Sequence, residues 1–247
     1  MKIPSKITPD CILESISELR FTSKIPEEAV FGSIYGHFKD RFTNFENLQT
    51  FQIPEQIRKS DSNLLYAPLY KLNFDDIFIQ IGPRSLSFHS TEKYIGWTAF
   101  SSRIHELISE ILKLDIIENV QRVGIRYINY FETKTILKES NLSVNFNNFD
   151  LQPFAHNIIL NYTKQDIGLT LRIYENATVS INKNASLENK LGSVIDIDSF
   201  INNPNLIKND TEKLMGLLTR THEAEKELFF SLLSDDLIKK HNPEYQD

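Results

Sequence analysis

The segment Arg122–Phe131 (RVGIRYINYF) constrains the fold more than any other part of the sequence, because its two side-chain faces require different surroundings. Successive side chains of a β-strand point to opposite faces. One face of this segment carries mainly apolar and aromatic side chains, whereas the other begins with Arg122, Gly124 and Arg126. The pattern therefore predicts a strand with one buried face and one polar face.

The whole chain predicts an α+β fold. Its 247 residues, of which 40% are hydrophobic and 24% charged, are typical of a globular protein. Strands outnumber helices and are joined mostly by short turns, so we expect a largely antiparallel sheet with helices packed mainly on one face. We treat residues 1–247 as a single α+β domain. A break between about Thr133 and Ser140 leaves open two similar subdomains, 1–133 and 140–247.

Ten segments alternate or are rich in β-forming residues, and two-residue polar pairs between some of them predict turns. The predicted strands are Ile12–Phe21, Leu48–Ile53, Leu64–Asn73, Ile77–Phe88, Arg122–Phe131, Leu142–Phe146, Asn157–Tyr162, Gly168–Tyr174, Thr178–Ile181 and Val194–Asp198. Gly82-Pro83 interrupts one strand, which should therefore be bulged or lie at an edge. Glu175-Asn176 predicts a turn.

Helical spacing of apolar residues predicts a Phe-rich helix that begins at Pro26, a strongly amphipathic helix over Trp97–Leu114 and a long closing helix over Thr211–Ser234. A last short helix ends before Pro243. Gly32 and Gly36 weaken the first helix intrinsically, and we expect them to allow close packing against a neighbouring element.

Composition excludes several classes of function. The formal charge of −6 argues against nucleic acid as a partner. A single cysteine, Cys11, excludes an internal disulfide, and neither a secretion signal nor a membrane-spanning run is present, so we predict a cytoplasmic location without membrane contact. The histidines form no zinc-binding motif, and no Ser-nucleophile motif occurs. We therefore predict no catalytic residue, metal or cofactor, and we favour a non-enzymatic protein.

Two glutamates repeat the spacing of the two arginines. Glu14 and Glu18 lie four residues apart on the first strand, as Arg122 and Arg126 do on theirs, a separation of about 13 Å along a strand. If these strands are neighbours, the charges can meet as two cross-strand pairs and serve only the architecture.

The same arginines also predict a ligand site if cations outnumber carboxylates. Arg20 and Arg84 could supply the excess, because a guanidinium binds carboxylate or phosphate with two bonds. The candidate ligand-binding residues are Arg122, Arg126, Arg84, Glu14 and Glu18. Gly82-Pro83 precedes Arg84, and it allows either close approach of a ligand or a plain bulge.

Three further features carry weaker predictions. Asp196 and Asp198 alternate on a strand as oxygen ligands of a divalent metal do, with His222, Glu223 or Glu225 as later ligands. The alternative is that Ile195 and Ile197 form the buried face and leave both aspartates exposed. His222 by itself is more typical of a structural residue, and Cys11 of an ordinary small one.

Several segments together resemble one protein family. They are Pro9–Phe21 (which contains the strand ILESISELRF), Ile79–Ser87 (IQIGPRSLS), Tyr94–Phe100 (YIGWTAF), Arg122–Phe131, Val194–Phe200 (VIDIDSF) and His222–Leu233 (HEAEKELFFSLL). Their order is similar to that of a family of sporadically distributed prokaryotic proteins of about this length, of the conserved-hypothetical kind. The resemblance extends from Ile3 to Tyr245. It implies no activity, cofactor or catalytic residue, and the scattered occurrence is typical of mobile or defence-associated genes.

Two functions follow as hypotheses. We favour a non-enzymatic interaction or regulatory protein whose sheet offers a groove or edge to a protein partner or to a second copy of the chain. The alternative is a binder of small anionic ligands or nucleotides, or a hydrolase, that uses the Arg/Glu cluster.

Overall fold

The computed structural model describes residues 2–91, 93–144, 156–183, 186–204 and 210–245. The strands are β1 (Ile12–Ser23), β2 (Asn44–Asn47), β3 (Tyr70–Asn73), β4 (Ile77–Ile81), β5 (Ser85–Ser90), β6 (Ile117–Phe131), β7 (Asn157–Lys164), β8 (Ile167–Lys183) and β9 (Ser186–Asn202). The α-helices are α1 (Glu27–Phe38), α2 (Glu55–Ser60), α3 (Trp97–Lys113), α4 (Thr211–Leu232) and α5 (Asp235–Lys240), and two short 3₁₀ helices span Gln49–Gln52 and Ile136–Glu139.

Within the described residues, the nine strands form one antiparallel sheet in the order β2-β3-β4-β5-β1-β6-β9-β8-β7. Five α-helices accompany this sheet, which confirms the predicted α+β class. The chain divides into two compact units. One, which we call the terminal unit, consists of Met1–Glu14, Arg126–Ser199 and His222–Asp247, and the other, the central unit, consists of Ser15–Ile125 and Phe200–Thr221.

The alternation predicted for β1 and β6 is present. In β1 the odd-numbered side chains from Ser15 to Phe21 are buried, whereas Glu18 and Arg20 are half-buried. In β6, Val123, the apolar side chains that follow at odd positions and Asn129 are buried. Each strand therefore presents one face to a packed interior and the other to a polar environment.

The core of the central unit lies against the apolar face of its strands. Helix α3 contributes a stripe of buried side chains at helical spacing, as predicted from its sequence. Gly96 precedes this helix with φ of 87°, a conformation that glycine adopts without steric cost. The stripe consists of Phe100, Ile104, Leu107, Ile108 and Ile111, which join α1 residues and strand residues in one hydrophobic cluster.

Two strand predictions in the central unit are wrong. Leu48–Ile53 contains a 3₁₀ helix rather than a strand, and the strand at this place, β2, ends at Asn47. Gly82-Pro83 does not bulge a strand, because Gly82, Pro83 and Arg84 form the turn that joins β4 to β5. Proline cannot donate a ladder hydrogen bond, so the strand ends before it.

A predicted turn in the terminal unit is also wrong. Strand β8 continues through Glu175-Asn176 and includes both of the segments that we separated there. Asn176 has φ of 53°, so the residue takes the left-handed conformation that favours turns while the strand continues. Leu142–Val144 form no strand, and the rest of the predicted strand Leu142–Phe146 lies outside the described residues.

Gly32 and Gly36 do not permit close packing, contrary to our expectation. A β-carbon at either position would meet no atom within 4 Å, since both residues lie on the open side of α1. Close approaches occur instead at two other glycines. A β-carbon at Gly82 would lie 2.8 Å from the Ala67 carbonyl oxygen, and one at Gly192 would lie against the Phe131 carbonyl oxygen.

None of the helices that the structure describes combines the length and the apolarity that crossing a membrane would require.

We expect Gly82→Ala to lower the free energy of unfolding by about 1–3 kcal/mol, because the added methyl group overpacks the β4–β5 turn. The matched control is Gly36→Ala, which adds the same group where space is open and should raise that free energy by about 0.5–1 kcal/mol through helix propensity. Urea unfolding followed by circular dichroism measures both. Equal effects of the two substitutions would contradict the close approach at Gly82.

Candidate functional site

Glu18 and Arg122 form the cross-strand pair that their spacing predicted. Arg122 Nη1 donates a hydrogen bond to Glu18 Oε2, and the Arg122 side chain is only 9% exposed. The pair lies in the central unit, on the face of β1 and β6 opposite the apolar core. A buried cation without a carboxylate would be strongly destabilising, so this bond has an architectural role.

Glu18 also accepts a bond from Arg20, so one carboxylate serves two guanidinium groups. Arg20 Nε lies 2.9 Å from Glu18 Oε2. Each guanidinium also lies over an aromatic ring, Arg20 at 4.7 Å from the ring centre of Tyr66 and Arg122 at 4.5 Å from that of Phe200. These cation–π contacts orient the two arginines in addition to the ion pairs. We call Glu18, Arg20 and Arg122 the Glu18 cluster.

Arg126, in the terminal unit, pairs with Asp196 of β9. Its Nε and Nη2 atoms donate to the two carboxylate oxygens, each at 2.7 Å, in a bidentate arrangement. Arg172 of β8 adds a third contact at 3.5 Å. These hydrogen bonds raise the pKa of the Arg126 guanidinium above its ordinary value, and Glu14 contributes a weaker attraction. We expected Arg126 to pair with a glutamate of β1, but the described hydrogen bonds of its guanidinium go to Asp196 instead.

The geometry at Asp196 contradicts both interpretations of the Asp196/Asp198 pair. Asp196 is buried, with 3% of its surface exposed, so it is not a solvent-facing residue. Its two oxygens accept bonds from Arg126 and Arg172, which makes them poor ligands for a cation. Among the residues that the structure describes, no group of three or more His, Cys, Asp or Glu side chains is arranged for a metal ion.

Arg84 does not join the Glu18 cluster through any of the ion pairs that the structure describes. Its guanidinium donates to Glu27 Oε1 at 2.5 Å, at the start of α1. Lys59 lies 3.7 Å from the other oxygen of Glu27. The β4–β5 turn therefore directs Arg84 toward the helical layer. Of the five predicted ligand-binding residues, Glu18 and Arg122 are in direct contact, and the role of all five in ligand binding stays a prediction.

The strand registers place the Glu18 cluster at one end of a polar row that crosses the central unit. The row consists of Glu46, Lys71, Gln80, Ser87 and Glu18, each directly opposite the next on the neighbouring strand. Lys71 Nζ lies 3.7 Å from Glu46. Cross-strand pairs of opposite charge stabilise a sheet, so the Glu46–Lys71 pair has an architectural role.

An aromatic patch, which sequence reasoning missed, lies on the other face of the same unit. It consists of Phe31 and Tyr35 from α1, Phe45 from β2, Phe51 and Tyr70. The rings of Phe31 and Tyr70 stack with their centres 3.8 Å apart, and Phe45 and Phe51 each contact this pair. Three of the rings are solvent-exposed, Phe51 at 45% and Tyr35 and Phe45 at 38% each. Such a contiguous exposed apolar surface is typical of an interaction site.

A cleft of about 140 Å³ opens beside the aromatic patch. Phe31, Phe51 and Tyr70 line it together with leucines of the segment 64–69. Charged side chains, among them Glu28 and Arg58, also line it. Apolar and polar groups occur together in protein-binding sites.

The terminal unit contains a buried cluster of titratable groups. Burial raises the pKa of the Cys11 thiol and raises the pKa of Glu225 well above its ordinary value. Burial lowers the pKa of His222 to about 4, and its Nδ1 lies 3.3 Å from the Tyr127 hydroxyl. The Cys11 thiol and the His222 imidazole are therefore both neutral near pH 7. Because the thiolate is the reactive form of cysteine, Cys11 is a poor nucleophile.

Only some features of these sites could be predicted from the sequence. Arg172 lies between Leu171 and Ile173 in an alternating strand, so its polar orientation could have been predicted but its partner could not. The aromatic patch assembles from four separate segments, and their proximity depends on the sheet order.

A comparison of the chain with protein-family models finds no match, and a search of curated proteins finds no similar sequence. The resemblance to the sporadically distributed prokaryotic family therefore stays a prediction.

We expect Arg126→Ala to lower the free energy of unfolding by about 1–3 kcal/mol, because buried Asp196 would keep a single guanidinium contact. The double variant Arg126→Ala/Asp196→Ala should recover part of this loss, with a coupling energy of about 0.5–3 kcal/mol in urea unfolding. Lys190→Ala, which removes an exposed pair with Glu132, is the control and should cost at most about 1 kcal/mol. Additive losses would contradict a specific Arg126–Asp196 interaction.

We expect Glu225→Gln to stabilise the protein increasingly as the pH rises above about 4.5. The folded state raises the pKa of Glu225 above its ordinary value of 4.5, so the stability that this carboxyl contributes is present at acidic pH and is lost as the pH rises through the raised pKa. Removing the charge should gain at least about 1 kcal/mol at pH 8, or about 2–4 °C in Tm.

Thermal unfolding between pH 4 and pH 8 measures this difference. His222 loses its stabilising contribution as the pH falls from 6.5 toward about 4, but it does so equally in both proteins and cancels. The control is Glu223→Gln, an exposed change on the same helix that should leave the profile unchanged. A constant offset between Glu225→Gln and the wild type would contradict a raised pKa.

Proposed function

We propose that this protein is a non-enzymatic interaction or regulatory protein that binds a segment of a protein partner at the aromatic patch. The observation that carries the proposal is the contact of Phe31, Phe45, Phe51 and Tyr70 in one exposed cluster beside a cleft. Aromatic side chains dominate the energy of protein–protein interfaces, because they bury large areas at a small cost in side-chain entropy.

The exposure of the rings supports this use. Ring surface that a partner removes from water stabilises a complex by about 25 cal/mol per Å². The cleft offers a place for one bulky apolar side chain of the partner, and the charged residues that line the cleft could pair with polar groups around that anchor.

The neighbouring strand β2 determines the form of segment that fits best. β2 pairs only with β3 and lies at the end of the sheet among the described residues, and all four of its side chains are exposed. An extended segment could therefore add hydrogen bonds to β2 while its apolar side chain enters the cleft. The family resemblance suggests a partner from a mobile or defence-associated gene neighbourhood.

A second candidate function is the binding of a small anion or nucleotide at the Glu18 cluster. One observation favours it: two guanidinium groups, those of Arg20 and Arg122, converge on the carboxylate of Glu18, and guanidinium groups bind carboxylate or phosphate well. The burial of Arg122 and the aromatic contact of each guanidinium fit an architectural role better. We therefore rank this function second.

Phe51→Asp should reduce the affinity for the partner at least tenfold, which corresponds to about 1.4 kcal/mol, because it places a charge in the lining of the cleft. Wild type, Phe51→Asp and a control serve as baits in an extract of the native cell, and the captured protein is then purified and titrated. The control is Leu191→Asp, since Leu191 is also apolar and 41% exposed but belongs to the terminal unit.

Equal binding by Phe51→Asp, or capture of no protein by the wild type, would contradict the proposal. A rise in Tm with phosphate or nucleotides that Arg20→Ala abolishes would support the second candidate instead, since a ligand at a hundred times its Kd stabilises a protein by about 2.7 kcal/mol. Circular dichroism confirms that each variant is folded.

A further inference from the structure

Strand β7 of the terminal unit is an exposed edge strand. Its one described neighbour is β8, with which it pairs over its whole length, from Asn157 opposite Tyr174 to Lys164 opposite Ile167. All of its residues except Ile158 are exposed. Ile159 is 57% exposed, Leu160 43% and Tyr162 42%, so apolar surface is present on both faces of the strand.

β7 lacks the features with which proteins usually protect such an edge. It is eight residues long and contains no proline. Its one charged residue is Lys164, at its end, and the Lys164 ammonium group is bound by both carboxylate oxygens of Glu227 on α4. The middle of the strand therefore presents backbone and apolar side chains without any charge that would repel another strand.

The hydrogen bonds to β8 determine which backbone groups face outward. Just before β7, the His156 carbonyl accepts a bond from the Glu175 amide. In an antiparallel ladder, hydrogen-bonded pairs alternate with pairs that are not hydrogen-bonded, so even-numbered residues bond to β8. The amide and carbonyl groups of Asn157, Ile159, Asn161 and Thr163 consequently point to the open edge.

We infer that β7 pairs with β7 of a second copy of the chain, antiparallel and about a two-fold axis at Leu160. This self-association uses the terminal unit and is independent of the function proposed for the aromatic patch. A two-fold interface places the same surface on both copies, which requires a strand that is complementary to itself. β7 meets this requirement because its outward-facing residues are arranged symmetrically about Leu160.

The outward-facing groups also select the register. Outward residues must face outward residues, which excludes every register that sets an odd-numbered residue opposite an even-numbered one. When Leu160 faces Leu160 of the second copy, Asn157 pairs with Thr163 and Ile159 with Asn161, so all four outward residues bond. A shift of the axis to Ile159 or Asn161 leaves at least one of them without a pair. In the central register Ile158 faces Tyr162, and the apolar residues are buried together.

Cysteine cross-linking tests the register. Leu160 and its copy would form a pair without hydrogen bonds, with α-carbons about 4.5 Å apart, which suits a disulfide. Leu160→Cys should therefore give a covalent dimer under mild oxidation. Tyr162→Cys is the matched control, because that position and its copy would lie four residues, or about 13 Å, apart. The wild type, whose only cysteine is buried, supplies the background. Equal or faster cross-linking of Tyr162→Cys would overturn the register.

Charge substitution tests the association itself. Sedimentation should show a dimer for the wild type, and Leu160→Lys should raise the dimer dissociation constant at least tenfold, because it sets two ammonium groups opposite each other. Leu160→Glu should do the same, and an equal mixture of the two variants should recover the dimer. A wild type that stays monomeric, or a mixture that does not associate, would overturn the inference. Phe51→Asp should leave the dimer intact, so failure here is distinct from failure of partner binding at the aromatic patch.

Discussion

In each of the two units, one carboxylate binds two guanidinium groups. Glu18 binds Arg20 and Arg122 in the central unit, and Asp196 binds Arg126 and Arg172 in the terminal unit. A partly or fully buried carboxylate is stable in the charged form only when an oppositely charged group lies at hydrogen-bonding distance. Because a shift of one residue would exchange the two faces of a strand, the cross-strand pairs favour the same register as the apolar core does.

Local periodicity explains what could be predicted. The faces of β1 and β6 and the stripe of α3 follow from repeats of two and 3.6 residues, which the sequence displays directly. Turn signals were less informative, because Asn176 adopts a turn-like conformation inside a continuous strand. The same turn-forming residues occur in bulges and in turns. Which of the two forms depends on whether the neighbouring strand continues beside these residues.

The candidate sites could be predicted only as far as single strands allowed. Four-residue spacing identified Glu18 and Arg122 as partners, but Arg126 required knowledge that β9 lies beside β6. The exposure of β7 could not be predicted either. Three consecutive apolar residues, Ile158-Ile159-Leu160, are typical of a buried strand, and only the sheet order shows that β7 is at the end of the sheet. Both features depend on the order of the strands in the sheet, which local periodicity does not contain.

Because Glu225 is buried, the formal net charge overstates the negative charge of the folded protein at any pH below the raised pKa of Glu225. The formal value of −6 counts this side chain as ionised, as it would be in an unfolded chain near neutral pH. Between the ordinary pKa of 4.5 and the raised pKa of the folded state, the native protein holds a proton there that the unfolded chain has released. Folding in that interval is therefore coupled to proton uptake, and its measured enthalpy should depend on the ionisation enthalpy of the buffer.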